Sequence, residues 1–124
     1  MAFYYDLNGL LAAKKYSIPL IIILINNNGG GIFEVLPISK YKDVFDEFFL
    51  APHCLDFSYF VKGYSGNYSS IEDWEDFRKT FSSALNSNKF SVLEIKTDAA
   101  KSLELRKKYW REIEKQLMQL PEPI

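Results

Sequence analysis

The chain has 124 residues but only one cysteine, one histidine and no excess of either charge. A single cysteine excludes an internal disulfide and is typical of a reducing compartment, so we expect a cytoplasmic protein. A net charge of -1 gives no reason to expect nucleic acid or an anionic membrane as a partner. The apolar residues 18–25 contain Pro19 and fall short of the about 20 that a membrane span needs. No basic leader precedes an apolar core, so no secretory signal is predicted.

The chain is rich in hydrophobic residues, which make up 48% of it, and the aromatic residues among them make up 16% of the chain. This content predicts one folded domain with a substantial core. Within it, the aliphatic run at 21–25 is followed by three asparagines and three glycines at 26–31. An unbroken β-branched run of this length predicts a strand covered on both faces, as in a parallel sheet. Because ligands bind beyond the carboxyl ends of such strands, the loop at 26–31 is expected to line a site.

The loop chemistry has two interpretations. Asparagine side-chain oxygens and backbone carbonyls are hard ligands for Mg²⁺ or Ca²⁺, and glycines with positive φ let the backbone approach a phosphate. On this interpretation the loop binds a polyphosphate with a divalent cation. The alternative is an ordinary turn, because asparagine and glycine dominate turns for conformational reasons alone.

The flanking segments favour the first interpretation. Residues 3–15 (FYYDLNGLLAAKK), 26–33 (NNNGGGIF), 51–57 (APHCLDF) and 93–98 (LEIKTD) resemble one family. It is the MenD family, the thiamine-diphosphate-dependent 2-succinyl-5-enolpyruvyl-6-hydroxy-3-cyclohexene-1-carboxylate synthases of menaquinone (vitamin K2) biosynthesis, and the similarity is to their C-terminal part. Many thiamine-diphosphate enzymes share the double asparagine, whereas the continuation GGGIFxxLP is more specific to this branch. The resemblance covers most of the chain and fades near residue 100.

The resemblance implies a metal and cofactor site in the loop. Asn27 would give its side-chain oxygen, and Gly29 its backbone carbonyl, to a Mg²⁺ ion (or Mn²⁺) that bridges the diphosphate of thiamine diphosphate. Gly30 and Gly31 would keep the backbone close to that diphosphate.

The resemblance also assigns roles to the apolar residues after the loop. Ile32, Phe33 and Leu36 would lie near the cofactor rings and form a dry wall for the substrate. Taken alone, an Ile-Phe pair indicates ordinary core. His53 and Cys54 are adjacent in the chain, so they are not predicted to converge as a catalytic pair.

In the parent enzyme that the resemblance implies, 2-oxoglutarate is decarboxylated on thiamine diphosphate and the resulting carbanion adds to isochorismate. In that family the aspartate ligand of the metal and the substrate-binding arginines lie upstream, and the activating glutamate comes from a neighbouring subunit. We therefore expect residues 1–124 to be the C-terminal part of the diphosphate-binding domain of a larger homo-oligomeric enzyme. This chain alone is expected to bind no cofactor, to hold no catalytic residue and to be inactive.

Local patterns complete the prediction. Helices are predicted at 4–16, 55–63, 70–86 and 99–120, strands at 20–25 and 90–96, short helical turns and loop at 32–50, and a turn at 64–67. This order predicts an α/β fold, a parallel sheet with helices on both faces. The resemblance implies a partial thiamine-diphosphate-binding fold whose first strand is missing. The strand at 20–25 would then be an exposed edge that promotes self-association.

Several residues are predicted to begin or end these helices. Asp6 would cap the first helix or add negative charge to its first turn, and Ser70 with Asp73 would form a capping box at the start of another. Gly63 and Pro121 would end helices.

Two other functions remain open from the residues. The first is another thiamine-diphosphate enzyme, similar to acetolactate synthase or to a 2-oxoacid decarboxylase, against which the continuation GGGIFxxLP argues. The second belongs to a different class, a non-catalytic α/β module that mediates assembly.

Overall fold

A computed structural model describes residues 1–119. In this part, three strands form one parallel sheet: β1 (Ile21–Asn26), β2 (Asn67–Ile71) and β3 (Ser91–Lys96). The order across the sheet is β1-β3-β2, and the first residues of all three strands lie side by side. The prediction of a parallel α/β fold is confirmed.

Helices and tight helical turns connect the strands. The helices are α1 (Ala2–Tyr5), α2 (Leu10–Lys15), α3 (Lys42–Phe45), α4 (Phe57–Gly63), α5 (Trp74–Leu85) and α6 (Ala99–Leu117). Shorter 3-10 turns lie at Leu7–Gly9, Gly31–Val35 and Pro37–Lys40, and a π turn lies at Asp46–Leu50. The short helical turns predicted at 32–50 are confirmed, and so is the end of α4 at Gly63. No helix that the structure describes is both long and apolar enough to cross a membrane.

The two faces of the sheet are covered by different helices. On one face α2, α4 and the turn at Leu7–Gly9 pack on the strands, and the buried residues there are Leu7, Leu10, Ala13, Leu24, Phe57, Val61, Phe90 and Val92. On the other face α5 packs over β2 and β3, with Phe77 beside Ile71 and Ile95. Helices therefore flank both faces, as predicted.

The strand β1 is less buried than its sequence predicts. Only Leu24 is buried, while Ile23 and Ile25 on the opposite face are 46% and 57% exposed. Among residues 1–119, β1 pairs with β3 alone, and α5 lies over the other two strands. The prediction that β1 is covered on both faces is therefore wrong, whereas the prediction of an exposed edge is confirmed.

The strand β2 and the start of α5 correct a second prediction. The turn predicted at 64–67 runs into Asn67, which begins a strand that was not predicted because its residues NYSSI are polar and few. Ser70 lies inside this strand, so the capping box is wrong. The cap of α5 is Asp73 alone, whose side chain accepts hydrogen bonds from the backbone N–H groups of Glu75 and Asp76, both at 2.9 Å.

The first and last helices also differ from prediction. The single helix expected at 4–16 is three short pieces, and Asp6 makes no capping hydrogen bond. The helix α6 follows the predicted path as far as Leu117. The prediction placed Leu120 in this helix and its end at Pro121. Both residues fall outside the described residues.

Candidate functional site

The loop after β1 turns sharply at the carboxyl edge of the sheet. The side chain of Asn26 accepts a hydrogen bond from the backbone N–H of Asn28 at 2.9 Å. The side chain of Asn27 accepts one from the N–H of Gly29 at 3.4 Å. Two successive asparagine turns therefore bend the chain, which is what these side chains do well.

The left-handed residue of this loop is Asn28, with φ of 58°, and none of the six glycines has a positive φ. The expectation that the glycines supply positive φ is therefore wrong. Asparagine tolerates this region because its short polar side chain makes local hydrogen bonds.

The glycines instead allow close packing against a second segment. A Cβ atom on Gly29 would overlap the carbonyl oxygen of Leu50, and one on Gly30 would overlap that of Phe49. The N–H of Gly30 also donates to the Leu50 carbonyl at 2.6 Å. A Cβ on Gly31 would lie 2.9 Å from the side-chain nitrogen of Asn27. All three glycines are buried, so the loop is tightly held between β1 and the chain at 49–50.

His53 and Cys54 hold the loop from its other side. The backbone N–H of His53 donates to the carbonyl of Asn28 at 3.3 Å, and that of Cys54 donates to the Asn28 side chain at 2.8 Å. The Nδ1 atom of His53 accepts from the N–H of Leu55 at 3.0 Å. Partial burial lowers the pKa of His53 below its ordinary value. These two residues shape the loop.

A buried carboxylate that the sequence analysis did not select lies beneath the loop. Glu94 sits on the central strand β3 and is 1% exposed. It accepts hydrogen bonds from the side-chain amide of Asn26, at 2.5 Å, and from the hydroxyl of Tyr68 on β2. Burial and this carboxylate raise the pKa of the Tyr68 hydroxyl well above its ordinary value. The available signal was a charged residue inside the apolar run Val92–Ile95.

The three apolar residues predicted to form a wall lie in different surroundings. Ile32 is 67% exposed. Phe33 packs edge-on against Phe49, with ring centroids 6.1 Å apart. Leu36 lines a groove together with Trp110 of α6. Ile32 and Phe33 lie in the 3-10 turn at Gly31–Val35 that follows the loop, and Leu36 comes directly after this turn. That the three residues form one apolar wall for a substrate stays a prediction.

The loop contains neutral oxygen donors but no carboxylate ligand. Residues 1–119 hold no cluster of three or more His, Cys, Asp or Glu side chains that would bind a metal ion alone. The Asn27 oxygen, which accepts the long bond from Gly29, and the Gly29 carbonyl are neutral hard donors of the kind Mg²⁺ takes.

Comparison with known proteins defines the class. Residues 1–95 match the family described as thiamine pyrophosphate enzyme, C-terminal TPP binding domain. The chain belongs to this family, whose cofactor is also called thiamine diphosphate.

The particular relatives carry one name. The 2-succinyl-5-enolpyruvyl-6-hydroxy-3-cyclohexene-1-carboxylate synthase of Geobacillus kaustophilus is 38% identical over 94% of this chain and 20% of its own length. The synthase of Bacillus velezensis is 46% identical over 79% of this chain and 17% of its own length. The chain spans about a fifth of the length of these curated relatives. The resemblance to the MenD family is confirmed.

A solved structure supports the fold. The thiamine diphosphate-dependent 4-hydroxybenzoylformate decarboxylase of Rhodococcus jostii RHA1 superposes with a TM-score of 0.65 and 28% identity. The match covers 77% of this chain and 18% of that one.

Proposed function

We propose that this chain is the C-terminal part of the diphosphate-binding domain of a 2-succinyl-5-enolpyruvyl-6-hydroxy-3-cyclohexene-1-carboxylate synthase, and that it anchors Mg²⁺ and thiamine diphosphate there. The observation that carries the proposal is the loop at 26–31, where Asn27 and Gly29 present neutral oxygens at the carboxyl end of a parallel strand. The similarity to synthases of this name supports it.

In this proposal the residues have separate tasks. Asn27 and the Gly29 carbonyl bind the cation, and the compact loop through Gly30 and Gly31 accommodates the diphosphate. Ile32, Phe33 and Leu36 keep water from the reacting carbon. When bound, thiamine diphosphate accepts the negative charge left on the substrate carbon after carbon dioxide departs.

The complete enzyme would decarboxylate 2-oxoglutarate and join the product to isochorismate, as a cytoplasmic homo-oligomer in menaquinone biosynthesis. Support comes from the names of the relatives, and for the compartment from the single cysteine, Cys54, which is in no disulfide. We propose that residues 1–124 alone are inactive, since two neutral oxygens are a weak site for Mg²⁺, which sheds water reluctantly. An assay of 2-oxoglutarate decarboxylation with added thiamine diphosphate and Mg²⁺ tests this, and turnover by the chain alone would contradict it.

The test of the metal site is Asn27→Ala in the full-length enzyme. Loss of a hard oxygen ligand should weaken Mg²⁺-dependent binding of thiamine diphosphate by on the order of tenfold to a hundredfold. Titration calorimetry measures the affinity. The matched control is Asn88→Ala, which removes an exposed asparagine close to the amino end of β3, at the far edge of the sheet. Equal affinities for the two variants would refute the ligand assignment.

A second candidate function follows from the decarboxylase similarity. A 2-oxoacid decarboxylase would release an aldehyde from its substrate without needing an acceptor. Product analysis with 2-oxoglutarate, with and without isochorismate, separates the two functions. A synthase forms the joined product only when isochorismate is present.

A further inference from the structure

The loop is connected to the interior of the sheet through one side chain. Asn26 is the last residue of β1, and its backbone carbonyl accepts a hydrogen bond from the N–H of Thr97 at 2.9 Å. Its side-chain nitrogen donates to Glu94, and its side-chain oxygen accepts from the N–H of Asn28. Asn26 therefore links the buried carboxylate to the first turn of the loop.

The carboxylate determines which way the Asn26 amide faces. A carboxylate oxygen accepts hydrogen bonds, whereas an amide has one donating end and one accepting end. The nitrogen of the Asn26 amide faces Glu94, and its oxygen accepts from the N–H of Asn28. If the amide were reversed, the Asn26 oxygen would face the Glu94 carboxylate, and the N–H of Asn28 would lose its acceptor.

A buried carboxylate on a central strand, such as Glu94, is unfavourable for stability. Burying a polar group destabilises the fold unless good hydrogen bonds replace those it made to water, and apolar side chains of similar volume often stabilise a core as well or better. Stability alone therefore does not explain Glu94 at this position. Fixing the orientation of a neighbouring polar group is a role that an apolar side chain cannot perform.

We propose that Glu94 is a positioning residue for the loop at 26–31. It acts through Asn26, whose oriented amide closes the turn at Asn28 and thereby sets where the side chain of Asn27 and the carbonyl of Gly29 point. The consequence for cofactor binding rests on the function proposed above, whereas the consequence for loop order does not.

The first arm of the test uses the chain itself and needs no cofactor. Glu94→Gln keeps the shape of the side chain but places an N–H₂ group opposite Asn26 or Tyr68. The backbone N–H groups of Asn28 and Gly29 should exchange with solvent about tenfold faster, as measured by NMR-detected hydrogen exchange. Leu93→Ala is the matched control, because this buried neighbour on β3 faces the other side of the sheet. It should lower stability without selectively loosening the loop.

A reciprocal exchange of donor and acceptor gives the sharpest result. In the double variant Asn26→Asp with Glu94→Gln, the Gln amide donates to the Asp carboxylate, whose second oxygen still accepts from Asn28. Tyr68 still donates to the Gln oxygen. Slow exchange at Asn28 and Gly29 should return, and this also holds if Glu94→Gln alone fails to fold. A double variant that exchanges fast, or a single variant that exchanges like the parent chain, would overturn the proposal.

The second arm measures the affinity of the full-length enzyme for Mg²⁺ and thiamine diphosphate. Glu94→Gln should weaken this affinity about tenfold, while Leu93→Ala should leave it within about twofold. If the unmodified enzyme does not bind the cofactor, the function proposed above fails, and the exchange measurements still decide the role of Glu94. If it binds and Glu94→Gln binds equally well, the positioning role is refuted.

Discussion

At the scale of single residues, glycines at different positions differ in whether the surrounding structure leaves room for a side chain. A Cβ on Gly29 would overlap the Leu50 carbonyl, whereas a Cβ on Gly9 would meet nothing within 4 Å. Gly9 also has the ordinary helical φ of -60°. Its presence therefore has no steric reason in the structure, while that of Gly29 does.

This contrast predicts opposite effects of one substitution. Gly29→Ala should destabilise the chain by about 1–3 kcal/mol, because the new methyl group forces two backbones apart. Gly9→Ala should stabilise it by about 0.4–1 kcal/mol, because alanine restricts the unfolded chain at no steric cost. Urea denaturation of the two variants measures both, and two changes of the same sign would contradict the prediction.

Phe33 is the residue whose proposed role is closest to the substrate. Phe33→Ala in the full-length enzyme should leave cofactor affinity near normal and lower turnover on the order of tenfold or more, because water enters where the ring lay. Steady-state kinetics at saturating cofactor measure this. Phe48→Ala, which removes a 68% exposed ring, is the control and should change neither quantity. Weak cofactor binding with normal turnover at saturation would disprove the role in the wall.

At the scale of elements, the start of α5 depends on one side chain. Asp73→Ala removes the acceptor for two backbone N–H groups and should cost about 1 kcal/mol of stability. Asp6→Ala is a matched control, because Asp6 precedes a helical turn without capping it, and should change stability within about 0.5 kcal/mol. Thermal unfolding of both variants distinguishes the two residues. Equal losses would show that the cap contributes nothing specific.

The elements also show what a sequence can and cannot specify. Apolar runs identify β1 and β3, and the asparagines and glycines identify the loop that follows β1, because these patterns are local. The strand β2 was not predicted, because its residues are polar and its pairing with β3 is distant in sequence. The N–H of Asn67, for example, donates to the carbonyl of Phe90. The partners of Glu94 lie 68 and 26 positions away, so no local pattern could connect them.

At the scale of the whole molecule, β1 lies at one edge of the sheet that residues 1–119 form, and two of its isoleucines are exposed. The chain should therefore self-associate, and Ile23→Lys with Ile25→Lys should reduce this, because lysine on an edge strand opposes pairing with a second chain. The cost in stability should stay below about 1 kcal/mol, since both side chains are already exposed. Light scattering measures the molar mass.

The control for this prediction is Tyr59→Lys on α4, a helix that packs against β2, where the ring is 76% exposed. It adds one positive charge, against two in the Ile23→Lys, Ile25→Lys variant, and should leave the mass unchanged. Association that persists in the Ile23→Lys, Ile25→Lys variant would assign it to another surface.

The order of the strands across the sheet affects how the chain folds during its synthesis. The central strand β3 is the last of the three to leave the ribosome, and β1 and β2 pair with it rather than with each other. Until residues 91–96 emerge, neither β1 nor β2 can pair with β3, and the isoleucines of β1 stay available for non-native contacts. Sheets closed by such distant segments form slowly, and their unpaired strands are exposed to aggregation meanwhile. We therefore expect a chaperone that shields the nascent chain to reduce aggregation most before β3 has been synthesised.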